Sequence, residues 1–335
     1  MRRNRKHRTA LALTLTATLL TATLLTASAC NRDSGGEEAG GDTYTIGYAG
    51  LSSEFPFVAD VNRGLDAAAK KAGVSLITLD NKYDPQVALS NADTLVLRKS
   101  DVIIEFQTDA KIAPALCQKF EAAGLGKKVI AIDIPHPPCA TFFGADNLRA
   151  GQMAGEELAK AAKAKWGSVD KLVLLELPQS GELVKQRTDG YIDGVKKVFP
   201  DFTDAKVIKV DGKGALEPSL TATQNLLPRL GADKHILLGA VNDPSAVGAL
   251  RAVQSAGRTA DFLIGGQNAT IEARQEICNN SATFIGTVGY FPERYGEQLV
   301  ELAGKLQRGE SVPGNVYVEH QWINNKNIRD SYPTC

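Results

Sequence analysis

The 335-residue chain has only four histidines, and it lacks a C-x-x-C pair, a G-x-S-x-G elbow, a P-loop and a complete G-x-G-x-x-G. His7, His136, His235 and His320 are too widely spaced for an H-x-x-x-H metal site. Hydrolysis, phosphate transfer and zinc chemistry therefore have no local signature, and no catalytic residue, metal or cofactor is expected. An excess of positive charge is missing too. The 38 basic residues balance 38 acidic ones, and removing the five basic residues of the first 29 leaves 33 against 38, a net charge of minus five. That balance argues against a nucleic-acid partner. Beyond the N-terminal leader no apolar run is long enough to span a bilayer.

What stands at the N-terminus is an export signal. Arg2, Arg3, Arg5, Lys6 and Arg8 precede an almost uncharged Ala/Leu/Thr run from Thr9 to Thr26, and small residues lead on to Cys30. The junction Ala27-Ser28-Ala29-Cys30 resembles the bacterial lipobox, with Ala27 where Leu is usual. Residues 1–29 are therefore read as a signal peptide and Cys30 as a lipidated anchor on the outer face of the bacterial cytoplasmic membrane; the same junction also fits an A-x-A cut, which would export the chain free with Cys30 a spare thiol. Residues 30–43 contain no large apolar side chain before Tyr44 and are read as a flexible tether. Setting Cys30 aside leaves Cys117, Cys139, Cys278 and Cys335, an even set suited to an oxidising compartment. Four cysteines allow three pairings. Order along the chain favours Cys117 with Cys139 and Cys278 with Cys335, and sequence alone leaves the choice open.

Roughly 305 residues after the leader exceed what one core usually organises, so two lobes are expected. From Tyr44 short apolar runs alternate with stretches of helical period, the pattern of β-α units around parallel sheets. Strands are predicted near 45–49, 75–79, 102–106 and 129–133, and again near 172–175, 207–210, 236–240, 262–264 and 284–288. Helices fall near 58–72, 85–98 and 110–123, then near 183–198, 220–230, 246–255 and 271–278. In the first helix Val58, Val61, Leu65, Ala68 and Ala69 share one face, and Gly73 stops it. Two such cycles imply two similar lobes.

Open α/β sheets bind ligands at the C-terminal ends of their strands. Those ends carry planar polar groups and aromatics: Asp133, Arg187, Asn242 and Gln267, with Phe55, Phe57, Phe106 and Tyr290. Carboxylates and amides accept from hydroxyls, guanidinium and amide N–H groups donate to them, and rings cover C–H faces. The set suits a small polyhydroxylated ligand. Asn242-Asp243 before Pro244 also reads as a helix start, with Asp243 capping and Asn242 free to reach the ligand.

At Asn242–Gly257, NDPSAVGALRAVQSAG, the chain resembles the periplasmic sugar-binding proteins of the ribose and galactose type, the type I solute receptors of ABC importers, whose pattern there is N-D-x-x-A-x-G-A-L-x-A-x-x-x-A-G. Collinear matches extend the likeness from Thr45 to about Ile328: Pro56-Phe57 with Gly64 and Gly73, Thr108-Asp109, Gly144-Ala145-Asp146-Asn147 with Gly151 and Gly155, and Arg187 before Gly190-Tyr191. The resemblance implies an α/β fold of two Rossmann-like lobes, each a parallel sheet flanked by helices, joined by a three-crossing hinge near Asp146, 287–289 and Gln321. It divides the chain into residues 44–146 plus 290–321 and residues 147–289 plus 322–335. It also implies Phe57 stacking on the sugar, Asp133 and Asn242 bonding hydroxyls, Arg187 bonding ring or hydroxyl oxygens, and Phe106, Gln267 and Tyr290 completing the cleft.

Four positions depart from the ribose pattern: Ile134 replaces Arg, Gly214 an aromatic, Gln267 an Asp and Tyr290 a Gln. A different pentose, a hexose or a sugar alcohol is therefore expected. The implied partners are that ligand, a membrane ABC permease and, through Cys30, the membrane; a monomer is expected. The fold also admits a sensor for a signalling partner, or a nucleoside or autoinducer receptor. A regulator of the LacI type would need a DNA-binding headpiece where this chain has an export signal.

Overall fold

The computed structural model describes residues 44–334. The expected signal peptide, Cys30, the expected tether up to residue 43 and Cys335 lie outside the described residues. Twelve strands appear among them, in chain order β1 (Thr45–Gly50), β2 (Ser75–Asp80), β3 (Val102–Phe106), β4 (Val129–Ile132), β5 (Ala140–Gly144), β6 (Lys171–Glu176), β7 (Val207–Asp211), β8 (Ile236–Ala240), β9 (Phe262–Asn268), β10 (Phe284–Gly289), β11 (Asn315–Tyr317) and β12 (Gln321–Ile323). They form two six-stranded sheets, ordered β11-β5-β4-β3-β1-β2 and β12-β10-β9-β8-β6-β7. Every pairing is parallel except β10 with β12. The two-lobed α/β architecture read from the alternating pattern is thus the one observed.

Helices cover the sheets: α1 (Pro56–Ala72), α2 (Pro85–Leu97), α3 (Ala113–Ala122), α4 (Asn147–Lys165), α5 (Gly181–Val198), α6 (Leu216–Leu226), α7 (Asp243–Ser255), α8 (Ile271–Cys278), α9 (Tyr295–Gln307) and α10 (Ile328–Ser331). Central strands β3, β4 and β8 are buried at every residue, whereas the edge strands β2 and β7 are half-exposed. That is what a parallel sheet wrapped on both faces requires, and it explains why the central strands read as near-continuous apolar runs, interrupted in β3 by Glu105. Helix α1 buries Val58, Val61, Leu65, Ala68 and Ala69, and Gly73 ends it in the left-handed conformation. Strands β5, β11 and β12 and helices α4, α9 and α10 have no counterpart among the predicted ranges, and β9 runs four residues beyond Ile264.

The order of each sheet reverses beside its first strand, between β1 and β3 in one and between β6 and β8 in the other. Such switch points open a crevice at the C-terminal strand ends, and here the two crevices face each other. The chain passes between the sheets after β5, after β10 and between β11 and β12. These passages are tied together: the Asp146 N–H donates to His320 Nε2 (3.0 Å), and the His320 ring meets the Tyr290 ring edge-on at 5.3 Å. Burial holds His320 far below the usual histidine range, at about 4, so it stays a neutral acceptor. No helix among the described residues is long and apolar enough to cross a membrane.

Cys117 on α3 is bonded to Cys139, just before β5, with Cα atoms 5.7 Å apart. Of the three pairings the sequence allowed, this part is the one favoured by chain order. Cys278 is also disulfide-bonded, and its expected partner Cys335 lies outside the described residues. The Cys117–Cys139 bridge staples the segment that follows β4, where Asp133 sits, to a packed helix. Closing this 22-residue separation stabilises the fold by about 3 kcal/mol through the unfolded chain. Replacing both cysteines with serine is expected to lower the urea midpoint accordingly, and an unchanged midpoint would show that the bridge contributes nothing.

Candidate functional site

A cavity of about 100 Å³ lies between the two sets of strand ends, enough for several waters or one small molecule. One sheet contributes Leu51 after β1, Phe106 and Thr108 at the end of β3, and Asp133 and Ile134 after β4. The other contributes Leu177 after β6, Val241 and Asn242 after β8, and Asn268 and Thr270 at the end of β9. Phe55 and Phe57 enter from the start of α1, and Ser180, Val184 and Arg187 from α5 and the turn before it. The walls also touch directly. Ser180 Oγ donates to the Thr108 carbonyl (2.9 Å), the Ala110 N–H to the Gln179 carbonyl (3.2 Å) and Tyr83 Oη to the Lys213 carbonyl (3.3 Å). Ile134 packs with Val184 and Val241 in an apolar cluster that joins the lobes.

Asp133 projects from a tight turn in which the Ile134 N–H reaches the Ile132 carbonyl (2.8 Å) and Asp133 itself has φ 62°. A non-glycine residue held there is strained, and the strain aims its carboxyl at the cleft. Gly144 makes room for it, since a Cβ at that position would lie 2.5 Å from Asp133 Oδ1. Burial raises the Asp133 carboxyl above its usual range, while the Arg187 charge and the Ala145 backbone N–H act in the opposite direction. Among the described residues Asp133 and Arg187 form no ion pair, so each keeps hydrogen-bonding capacity toward the space between them.

Arg187 is buried and held on three sides. Its Nε donates to Asn147 Oδ1 (2.9 Å), its Nη1 to the Val241 carbonyl (2.8 Å), and its guanidinium lies 5.2 Å from the centre of the Tyr290 ring. Nη2 has no protein acceptor among the described residues, and Arg187 is part of the cavity lining. Behind it Tyr290 Oη donates to Gln267 Oε1, and Gln267 Nε2 donates to Tyr191 Oη (3.2 Å), which sits against the Ala240 and Gly265 carbonyls. Gln267 and Tyr290 are therefore one layer behind the cavity, supporting Arg187, and do not line it as expected. The reason is register: β9 continues through Gln267 with its side chain on the Tyr191 side, and both amide atoms are already taken.

The Asn242-Asp243 reading needs a second correction. Asn242 is the cap: its Oδ1 accepts from the Ser245 N–H (3.0 Å) and its Nδ2 donates to the Gly214 carbonyl (2.8 Å). Asp243 is fully buried instead, accepting from the Thr270 N–H (2.7 Å) and Thr287 Oγ1 (2.7 Å). Burial pushes its carboxyl up to about 7 against those bonds. Asn242 still lines the cavity, with one amide hydrogen and one lone pair uncommitted.

The aromatics divide by depth. Phe57 meets Phe106 at 6.4 Å and Tyr295 at 5.8 Å, both edge-on, so most of its ring is core and one part faces the cavity. Phe55 and Tyr83 meet edge-on at 5.2 Å, and both line the cavity. Sequence reasoning thus brought Phe57, Phe106, Asp133, Arg187 and Asn242 to one cavity. It placed Thr108, Ser180 and Asn268 at ligand-facing strand ends without singling them out as ligand residues, and it missed Tyr83 and Thr270. Strand parity carried through the last residues of β9 would have pointed to Asn268. Among the described residues no group of three or more His, Cys, Asp or Glu side chains could hold a metal.

A family model described as "Periplasmic binding protein domain" matches residues 46–311. The ribose import binding protein of Escherichia coli K12 is 25% identical over 265 residues, covering 79% of this chain and 85% of its own. An ABC transporter solute-binding protein of Mycobacterium smegmatis, solved with bound glycerol, superposes with a TM-score of 0.76 at 24% identity, over 86% of this chain and 96% of that one. A periplasmic solute-binding protein of Actinobacillus succinogenes, solved with bound D-allose, gives a TM-score of 0.72 at 20% identity, over 86% of this chain and all of that one.

Proposed function

Because the chain belongs to the periplasmic binding protein domain family, we propose that it is an extracytoplasmic receptor that captures one small sugar or sugar alcohol between its lobes. It delivers that ligand to an ABC importer, held at the membrane by lipidated Cys30. The observation that carries this reading is the facing of Asp133 and Arg187 across a small cavity with aromatic and aliphatic walls. One acceptor and one cation that do not consume each other suit a neutral ligand rich in hydroxyls, and Phe57 and Phe106 offer apolar surface to its C–H faces. Relatives named for ribose import, and structural neighbours with glycerol and D-allose, support the same ligand class.

Ribose itself is not the favoured cargo. Ile134 is committed to the apolar cluster with Val184 and Val241, and Gly214 presents a backbone carbonyl to Asn242 in place of a ring. Both changes remove groups that the ribose pattern would offer to the sugar. The test is titration calorimetry and thermal shift of the mature protein with glycerol, xylitol, D-ribose, D-allose and myo-inositol. A ligand at a hundred times its Kd should stabilise the native state by about 2.7 kcal/mol, and absence of heat and shift across the panel would sink the reading. Palmitate labelling lost in Cys30→Ser checks the anchor.

A further inference from the structure

Two residues that line the cavity each carry a buried polar atom without a partner, Asn268 Oδ1 and Thr270 Oγ1. Thr270 is only 5% exposed, and although it stands at the N-cap of α8 its hydroxyl caps nothing. A threonine there ordinarily accepts a backbone N–H of the first turn. Leaving a buried hydroxyl and a buried amide oxygen unbonded costs free energy, so they persist where something else uses them.

The segment that carries them is bent and braced. Asn268 has φ 112° and Ala269 φ 56°, two consecutive non-glycine residues in the left-handed half of the map. The Ala269 N–H donates to Thr287 Oγ1 (3.3 Å), Thr287 Oγ1 donates to Asp243 Oδ1 (2.7 Å), and Asp243 Oδ2 accepts from the Thr270 N–H (2.7 Å). Gly266 leaves space for that carboxylate, since any Cβ there would meet Asp243 Oδ1. A buried carboxyl and a threonine hydroxyl thus hold the strained bend that places Asn268 and Thr270 in the lining of the cavity. Gln267, by contrast, is fully buried outside the cavity lining, with Nε2 bonded to Tyr191 and Oε1 to Tyr290.

We propose that Asn268 and Thr270 are specificity-determining residues for the hydroxylated ligand, accepting from and bonding to its hydroxyls in place of Gln267. The inference rests on the sugar or polyol reading above. Asn268 Oδ1 serves as acceptor for a ligand O–H, and Thr270 Oγ1 serves as donor or acceptor. Together with Asp133 and Arg187 they ring the ligand with groups from both lobes.

Thr270→Val keeps the shape and removes the hydroxyl, and Asn268→Gly removes the amide while relaxing the backbone. Each is titrated with whichever of glycerol, xylitol, D-ribose, D-allose and myo-inositol binds the unaltered protein. The expected result is a tenfold or greater loss of affinity in each, with a ligand-free melting temperature no lower than that of the parent. A structural role would instead lower that temperature, because a bonded buried hydroxyl would have been lost. Parent-like affinity in both variants, or a fall of several degrees in ligand-free Thr270→Val, overturns the inference and leaves the receptor reading intact. Failure of the parent to bind any member of the panel overturns both.

Discussion

Arg187→Met is expected to weaken ligand binding at least a hundredfold in titration calorimetry. Hydrogen bonds to a charged group contribute about 1.5 to 3 kcal/mol each, and the guanidinium is held ready for them. Asn147 Oδ1 takes one N–H, the Val241 carbonyl takes another, and Tyr290 supports the plane from behind. The ligand therefore meets a donor that has already lost its freedom, which is the main saving that preorganisation offers. Methionine fills similar space and offers no donor. It also leaves the buried Asn147 and Val241 oxygens without their present donors, so a stability loss of about 1 to 3 kcal/mol should accompany the affinity loss. Arg187→Lys separates the contributions: it keeps the charge, cannot span three partners, and should restore only part of the affinity. Binding within threefold of the parent in Arg187→Met would remove Arg187 from the site.

Glu105→Gln should make the protein more stable at pH 8.5 and leave it nearly unchanged near pH 4.5. Glu105 is fully buried in β3; its Oε1 accepts from Asn81 Nδ2 (2.9 Å) and its Oε2 has no partner. Burial pushes its carboxyl from the ordinary 4.5 up to about 8, against the smaller effect of the Asn81 bond. Between those two values the folded protein keeps a proton that the unfolded chain releases. Stability therefore falls as pH rises from about 4.5 to about 8 and levels off above. Glutamine mimics the protonated acid, so the variant escapes that fall. Its gain above pH 8 is on the order of 5 kcal/mol, at about 1.4 kcal/mol per pKa unit. Asp243, raised in the same direction to about 7, contributes its own decline and remains in the variant. Urea unfolding at the two pH values reads the effect, and an equal difference at both would show that Glu105 is already ionised when folded. Glu105 does not line the cavity, so ligand affinity should not change.

These two residues differ in how visible they were in the sequence. Arg187 stood out by its place before Gly190-Tyr191 and its position on a helix that follows a strand end. Glu105 sits inside the run VIIEF, where the strand was read correctly and the charge went unremarked. Nothing local says that its neighbours on the sheet will exclude water. The same holds for the pair at the start of α7. The motif located a helix start at Asn242-Asp243, but which of the two caps depends on Thr270 and Thr287, which lie 27 and 44 residues further on.

Gln267 marks the boundary most clearly. Family position put it at the ligand, and its place at a strand end agreed. In the folded chain β9 runs on to Asn268, the Gln267 side chain turns inward, and Tyr191 and Tyr290 occupy its amide. Just beyond it, Asn268 Oδ1 and Thr270 Oγ1 are buried without a protein partner.

Apolar periodicity, glycine stops and the alternation of strands with helices were enough to determine two parallel-sheet lobes, because burial of a sheet on both faces constrains every residue along each strand. The same strand ends located the cavity to within a few residues, since the crevice of an open sheet follows from its topology. Which side chain at each end faces the cavity was decided only by tertiary structure. Local sequence cannot express it, because facing is settled by partners from other elements: Gly144 making room for Asp133, Asp243 bracing the bend at Asn268, and Asn147 and Val241 holding Arg187.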